Sequence, residues 1–488
     1  MPGFVLLTTS VAQRAVSMAV RRAMMPCAVM AASLCTALGA QAPPRVEAVV
    51  TTADRTRLLA SLPISRAPDT TAWTVVVDTT QRYQPMTGFG AALTDASVSL
   101  LDALPRAARD ALVRELFSPT RGVGFSMVRI PIGASDFSTS HTTLADRASY
   151  AKGSIAMRLD LSGEQARLQL LRDIRRQQPA LTIMATPWSA PAWMKTPATL
   201  YGGTLHADAM PHFARYLERV VAAYDSAGAP IDLLSVQNEP QHAPTDYPGM
   251  RLSPAQRAAL VGGHLGPTLA RLPRAPQLLE WDHNWDAPEE PLSVLADSVA
   301  RRYLHGVAWH CYAGDVSAQS RVQAAFPTMA TYFTECAGGA WAPDFGDNLL
   351  WNSKTLIVGA TRHWARGVML WNLALDANGG PHKGGCANCR GVVTIDARTA
   401  QVTRNEEYYA LAHASRFVAR GAVRIESRLA GAPVADAAGV THVAFVNPDG
   451  ALTVIVVNEH RRAIRLAVER ATVTAPARSV VTMVVRAQ

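Results

Sequence analysis

The chain has little of what marks several large classes of protein. Only 17% of its 488 residues are charged and 49% are hydrophobic, which excludes a disordered protein. Lysine and arginine exceed aspartate and glutamate by nine, yet no basic cluster is longer than a pair and no aromatic residues accompany the pairs. We therefore expect a folded protein that does not bind nucleic acid.

A candidate leader begins the chain. Arg21 and Arg22 precede an uncharged stretch, residues 23–40, that ends in small residues. This pattern is typical of a secretory signal, although the stretch is close to the minimum length of a membrane anchor. Because Ala37, Gly39 and Ala40 favour cleavage, we expect residues 1–40 to be removed and the mature protein to be secreted or periplasmic, without a stable membrane span.

Four of the six cysteines follow the leader, which suits disulfide formation in an exported protein. Cys386 and Cys389 enclose two residues in a glycine-rich segment. Half a zinc site and a redox motif are the alternatives, but zinc needs a second pair of ligands, and a redox motif normally begins a helix. We expect Cys386 and Cys389 to close a small loop as a disulfide.

Strand-like and helix-like segments alternate through the middle of the chain. Eight short apolar runs are separated by stretches with helical spacing of apolar residues, and the runs cover residues 86–90, 125–131, 181–188, 233–238, 276–281, 306–310, 331–334 and 367–372. This alternation predicts an α/β fold, a (β/α)8 TIM barrel with strands buried on both faces. In such a barrel, the residues that end the strands are site candidates.

Both ends of the chain have a different pattern. Residues 46–51 and 73–77 are strand-like without helices between them, and after about Val423 short strands are joined by turns such as residues 447–450. We predict a side β-sandwich formed from both chain ends. The expected domains are residues 41–80 for its N-terminal strands, 81–420 for the catalytic barrel and 421–488 for its C-terminal strands.

Two carboxylates end predicted strands. Glu239 follows the fourth strand in Asn238-Glu239-Pro240, and Glu335 ends the seventh. Strands three apart face each other across a barrel mouth, so these two side chains are placed as a retaining glycosidase needs them, one as nucleophile and one as acid/base. Either glutamate alone has a structural alternative, such as pairing with an arginine.

Seven blocks in order carry a family resemblance. They lie at residues 88–95, 129–138, 187–195, 236–240, 309–312, 334–336 and 371–381. Together they resemble glycoside hydrolase family 30, which includes the acid β-glucosidase that cleaves glucosylceramide. The resemblance implies the same barrel and side sandwich, and hydrolysis of β-glucosidic bonds by double displacement, with no metal and no cofactor.

The resemblance also implies residue roles. Glu239 matches the family's acid/base and Glu335 its nucleophile, and we expect the anionic Glu335 to raise the pKa of Glu239. The other matches are expected to bind substrate, with Tyr312 also bonding the nucleophile: Asp136, Trp188, Asn238, His310, Tyr312 and Trp371. Asp282, after the fifth strand, either lines an acceptor subsite or orients its loop.

The chain departs from the glucosylceramide-cleaving members at Cys311, where they have tryptophan. Cys336 follows the next strand, which suggests a Cys311–Cys336 bridge. The sequences His310-Cys311-Tyr312 and Thr334-Glu335-Cys336 look more like the branch of the family that hydrolyses β-1,6-glucan. Our first expectation is nevertheless a glucosylceramidase-like β-glucosidase acting on a glycolipid or β-glucan. The alternatives are an endo-β-1,6-glucanase of the same family, a non-catalytic glycan-binding barrel, and a membrane-anchored surface protein with an uncleaved leader.

Overall fold

The structure is a computed structural model that describes residues 45–151 and 154–486. The expected leader, residues 1–40, lies outside the described residues. Within the described residues, no helix combines the length and the apolar character that crossing a membrane requires.

Eight parallel strands close into a barrel in chain order, which confirms the predicted α/β architecture. Each strand overlaps one of the eight apolar runs, and nearly every strand residue is buried because helices cover the outer face. From first to eighth, the strands are Gly88–Ala92, Met127–Ile132, Thr182–Pro187, Leu233–Ser235, Gln277–Asn284, Leu304–His310, Ala330–Glu335 and Ala365–Leu370.

Helices follow the barrel strands and bury one apolar face each. In Met210–Ser226, for example, Phe213, Leu217, Val220 and Tyr224 recur at helical spacing and are buried. The α-helices are Asp95–Asp102, Arg106–Phe117, Gln165–Gln177, Met210–Ser226, Pro254–Leu260, Gly266–Leu269, Glu289–Ala296, Ser298–Arg301, Ala318–Ala325, Phe345–Trp351, Ala360–Arg362, Glu406–Ser415 and Val434–Ala437. The π-helical turns Val261–Leu265 and Asn352–Gly359 continue two of them.

Nine further strands form the predicted β-sandwich from both chain ends. Arg45–Thr52 pairs antiparallel with Ser479–Arg486 along its full length, from Arg45 opposite Arg486 to Thr52 opposite Ser479. In hydrogen-bonded order, the strands are Ala60–Ser61, Arg45–Thr52, Ser479–Arg486, Leu452–Asn458, Val440–Val446, Val423–Ala430, Trp73–Pro85, Ile464–Val468 and Ala471–Ala475. The β-sandwich therefore contains strands from both the N-terminal and the C-terminal part of the described chain.

The turn predicted at residues 447–450 joins two of these strands. The Gly450 amide donates to the Asn447 carbonyl at 2.9 Å, and Gly450 has a φ of 81°, which glycine adopts without strain. The loops contain four small sheets. Three have two strands each, Ala148–Ala151 with Ser154–Met157, Lys195–Thr196 with Thr204–Leu205, and Gly338–Gly339 with Cys389–Arg390, and one has three, Ala374–Leu375, Val393–Asp396 and Gln401–Arg404.

Candidate active site

The two glutamates predicted from the strand ends lie together at the mouth of the barrel. One carboxylate oxygen of Glu239, one of Glu335 and a ring nitrogen of His310 all lie within 4.8 Å of one another. Glu239 has a φ of 45°, a left-handed conformation that is uncommon for a residue with a side chain. Glu239 thus lies in a turn beyond the fourth strand, which ends at Ser235.

Arg129 lies beside the Glu335 carboxylate and is fully buried. It donates from Nη1 to the Glu335 carboxylate, and from Nη2 to Asn238 Oδ1 at 2.7 Å and to Asp282 Oδ2 at 2.8 Å. The guanidinium thus fixes Asp282 of the fifth strand, Glu335 of the seventh strand and Asn238 of the segment after the fourth strand. A buried charge is tolerated here because it is paired and hydrogen-bonded.

Asp282 supports this arrangement from the fifth strand. Its oxygens accept hydrogen bonds from Arg129 and from Thr186 at 3.1 Å, from Thr334 at 2.7 Å and from His310 at 3.1 Å. The carboxylate is fully buried, so the geometry favours the orienting role over the acceptor subsite. The cationic Arg129 holds the pKa of Asp282 well below its usual range, against the effect of burial.

A bulge explains how Asp282 reaches this position. Trp281 and Asp282 both have positive φ, 73° and 53°, and the pairing of the fifth and sixth strands shifts register between Trp281 and His283. Bulges of this kind re-aim side chains beside active sites. Without the extra residue, strand alternation would send Asp282 to the opposite face.

His310 links the two halves of the site. Nδ1 lies 3.0 Å from Glu239 Oε1 and Nε2 lies 3.1 Å from Asp282 Oδ1. Burial disfavours the imidazolium, but the charge of Glu335 and the bonds to Asp282 and Glu239 raise the pKa of His310 to about 9. His310 is therefore a cation at neutral pH and donates from both nitrogens, to Glu239 and to Asp282.

The proton distribution differs from our expectation. We predicted a raised pKa at Glu239. Burial acts in that direction, but the hydrogen bond and the charge of His310 lower the pKa of Glu239 instead. Burial raises the pKa of Glu335, against the charges of His310 and Arg129. The prediction was wrong for the resting site because it counted the neighbouring anion and omitted the neighbouring cation.

Aromatic rings form one wall of the pocket. Trp188 and Trp371 stack with centroids 5.2 Å apart at 21°, and Phe137 meets Trp371 edge-on at 6.1 Å. Asp136 lies in the same pocket and is largely buried; burial, followed by the charge of Glu335, raises its pKa well above its ordinary value. Indole faces beside a carboxyl group suit a pyranose, which has one apolar face and hydroxyls at its edge.

Asn238 and Tyr312 complete the contacts around the glutamates. Asn238 accepts from Arg129 through Oδ1, and among the described residues its Nδ2 has no partner, so this donor is available to a ligand. The Tyr312 hydroxyl donates to Glu335 Oε1 at 2.9 Å, while 46% of the residue is exposed at the barrel mouth. Burial of the hydroxyl and the charge of Glu335 raise the pKa of Tyr312, so it keeps the proton it donates.

Both expected cysteine pairs are bonded in the structure. Cys311 and Cys336 join the ends of the sixth and seventh strands beside Glu335, and Cys386 and Cys389 close a loop near the aromatic wall. This second loop also contacts Asp136: the Lys383 amide donates to the Asp136 carbonyl at 2.9 Å. A β-carbon at Gly385 would lie 2.5 Å from that of Asp136, so glycine permits the close approach.

The sequence analysis assigned no role to Arg129 or to Lys195, although both lie in matched blocks. A usable signal for Arg129 was its charge within the apolar run 125–131, where a buried arginine is tolerated only when it is paired. Lys195 is buried and donates to Ser189 Oγ at 2.7 Å and to the carbonyls of Leu200 and Gly249 at 3.0 and 2.8 Å. It thereby ties the connection after the third strand to the connection after the fourth strand, which carries Glu239.

Comparison with known proteins agrees with this geometry. The model of the glycosyl hydrolase family 30 TIM-barrel domain matches residues 86–418, and that of the family 30 β-sandwich domain matches residues 421–483. An endo-1,6-β-D-glucanase of Neurospora crassa is 35% identical over 412 residues, covering 81% of this chain and 84% of the relative. The lysosomal acid glucosylceramidase of Mus musculus is 27% identical over 406 residues, covering 78% and 76%.

Solved structures give the same result. The structure of an endo-β1,6-glucanase superposes with a TM-score of 0.84 at 29% identity, covering 91% of this chain and 99% of that chain. The family models account for barrel and sandwich alike, and the aligned relatives are enzymes that hydrolyse glycosidic bonds. The chain belongs to glycoside hydrolase family 30 and is a glycoside hydrolase.

Proposed function

We propose that the protein is a retaining endo-β-1,6-glucanase in which Glu335 is the nucleophile and Glu239 the acid/base. The observation that carries the mechanism is the approach of the two carboxylates to within 4.8 Å. Retaining glycosidases hold their carboxyl groups about 5 Å apart, whereas inverting enzymes need about 6.5–9.5 Å to admit a water molecule.

In the first step, Glu335 attacks the anomeric carbon while Glu239 protonates the departing oxygen. Arg129 and Tyr312 hold Glu335 by hydrogen bonds, which orients it and favours its anionic form at the moment of attack. The free amide nitrogen of Asn238 is placed to bond a sugar hydroxyl, a contact that strengthens as the oxocarbenium-like transition state develops.

His310 supplies the proton that Glu239 gives to the departing oxygen. The resting Glu239 carries a lowered pKa, but His310 Nδ1 lies 3.0 Å from its carboxylate and holds a proton up to a pKa of about 9. As the glycosidic bond breaks, the departing oxygen becomes basic and takes a proton from Glu239 while Glu239 takes one from His310, which leaves His310 neutral. In the second step, water displaces Glu335 from the sugar, and Glu239 takes a proton from that water and returns it to His310.

The choice of β-1,6-glucan over glucosylceramide rests on the relatives and on one residue. The endo-1,6-β-D-glucanase of Neurospora crassa is more similar to this chain, at 35% identity, than the lysosomal acid glucosylceramidase of Mus musculus, at 27%. At position 311 this chain has a cysteine bonded to Cys336, where our sequence analysis expected tryptophan in a glucosylceramide-cleaving enzyme. We accordingly place the β-1,6-glucanase ahead of the glucosylceramidase that we first expected.

The products from two substrates test this proposal. Soluble β-1,6-glucan and glucosylceramide in detergent are each incubated with the protein, and the products are followed with time. We expect oligosaccharides of mixed length from the glucan and no glucose from the lipid. Glucose released from the lipid, with only single glucose units or nothing from the glucan, would instead identify a glucosylceramidase. A protein that binds glucan and turns over neither substrate would be the non-catalytic alternative.

We also propose that the protein is exported after removal of residues 1–40. Two disulfides in the folded protein support this, because such bonds persist mainly in oxidising compartments. N-terminal sequencing of protein recovered outside the cytoplasm tests the proposal. A start near Gln41 is expected, and an intact leader would indicate a membrane anchor instead.

A further inference from the structure

Trp341 stands out among the ten tryptophans because it is 55% exposed, more than any other. It lies six residues after Glu335, on the loop that leaves the seventh barrel strand. Removing an indole from water is favourable, so a large exposed ring on an ordered loop is a candidate contact surface.

The ring is held in place by the backbone beneath it. A β-carbon on Gly339 would lie 2.0 Å from Cζ3 of the Trp341 indole, so the ring rests directly on the glycine backbone. The Ala342 amide donates to the Gly339 carbonyl at 3.1 Å, and the Ala340 amide donates to the Asn388 carbonyl at 2.9 Å. The indole is therefore held against the Gly339 backbone while 55% of the residue stays exposed.

Both disulfides anchor this loop. Cys336, bonded to Cys311, fixes the point at which the loop leaves the barrel. Gly338–Gly339 then pairs with Cys389–Arg390, whose cysteine is bonded to Cys386.

A salt bridge anchors the other strand of this ladder. The Arg390 guanidinium pairs with Glu406 at 2.6 Å and with Glu407 at 2.7 Å, both on the helix Glu406–Ser415. The loop that carries Trp341 is thus cross-linked on both sides. Binding of a ligand therefore costs little conformational entropy in this loop.

The loop also places the ring close to the catalytic pocket. Ala337 packs against the cluster that contains Trp188 and Trp371. Gly339, on which the indole rests, is two residues further along, a distance of about 7 Å in extended chain. Since the extended length is an upper limit and the indole contacts Gly339, the ring lies near the tryptophan cluster of the catalytic pocket.

We propose that Trp341 is a stacking platform for a second glucose unit of the glucan chain, outside the catalytic pocket. This inference rests on the proposed function, because only a polymeric substrate has a second unit to bind. The outward indole face contacts the apolar face of the pyranose, while the sugar hydroxyls stay in water. Such a platform favours chains over single glucosides without touching the reacting bond.

The test compares three variants on β-1,6-gluco-oligosaccharides of increasing length. Trp341→Ala removes the ring, and Gly339→Ala displaces it while keeping the indole. Trp351→Ala is the matched control, because Trp351 is 45% exposed at the far end of the outer helix Phe345–Trp351. Loss of about 1.4 kcal/mol of stacking reduces the kcat/KM advantage of long over short chains about tenfold.

We expect that loss, carried mainly by KM, in Trp341→Ala and Gly339→Ala but not in Trp351→Ala. Calorimetric titration of a long oligosaccharide into Glu335→Gln protein, with and without Trp341→Ala, measures binding without hydrolysis. We expect Trp341→Ala to raise Kd about tenfold. An unchanged length dependence and unchanged Kd would overturn the platform. If the wild-type protein hydrolyses no β-1,6-glucan, the proposed function fails, and unchanged Kd values in the same titration then overturn the platform separately.

Discussion

The two ends of the barrel interior are built from the same strands but obey different rules. The lower layer is apolar, with Met127, Met184, Leu233, Leu279, Ala308, Ala330, Tyr332 and Met369 packed together. Two residues further along the chain from three of these lie Arg129, His310 and Trp371 of the active site. Because side chains two apart in a strand share a face, one inward stripe changes from apolar packing to catalytic chemistry within about 7 Å.

The difference teaches what each layer needs. Apolar packing depends on volume and tolerates a replacement of similar size. The catalytic layer depends on complete pairing, since each of its buried charges is stable only while its partners remain. We therefore expect the loss of a charged partner in the upper layer to lower stability and activity far more than a comparable change of volume in the lower layer.

The largest expected effect comes from the carboxylates themselves. Glu335→Gln removes the nucleophile and Glu239→Gln the acid/base, and each should lower kcat by about a thousandfold or more, as measured on β-1,6-glucan. Added azide should rescue Glu335→Gly and Glu239→Ala with products of opposite anomeric configuration. Normal turnover by Glu335→Gln would refute the mechanism.

Arg129→Met should come next, because it removes the arginine that pairs with the buried Asp282 and Glu335. Removal of one partner of a buried ion pair costs about 3–5 kcal/mol, which chemical unfolding would measure as a lower free energy of unfolding. Activity should fall as well, because Glu335 and Asn238 lose their common support. An Arg129→Met protein as stable as the wild type would contradict the described pairing.

His310→Gln tests the proton store. The pKa of His310 in the fold, about 9, lies above its ordinary value, so its proton and the stability this gives are present at neutral pH and are lost as pH rises through about 9. We expect the wild-type pH profile to fall near that pH. In the variant, kcat should drop about a hundredfold and the alkaline limb should move to lower pH. An identical alkaline limb in both proteins would show that His310 does not supply the proton.

The smallest effect is expected in the lower layer. Met184→Leu keeps volume and apolar character and should cost less than about 1.5 kcal/mol, with kcat/KM unchanged. Thermal unfolding and the glucan assay measure the two quantities on one preparation. A loss of activity as large as that of Arg129→Met would mean that the two layers are not independent.

Much of the fold and of the site could be predicted from the sequence, because the catalytic side chains follow the ends of the strands. Apolar runs located all eight strands, and Glu239 and Glu335 were visible as polar residues at their ends. The role of Asp282 was not, since it depends on a bulge that reverses the usual alternation. The lowered pKa of Glu239 was missed for a related reason: it depends on the distance to His310, on a strand two further along the barrel.

The most direct test of the central claim is the configuration of the first products from β-1,6-glucan. Proton NMR during the first turnovers, before the reducing ends mutarotate, shows which anomer is released. Double displacement by Glu335 and Glu239 predicts β-anomers on oligosaccharides of mixed length. Initial release of α-anomers would contradict the retaining mechanism, and a product consisting only of glucose would contradict the endo-glucanase.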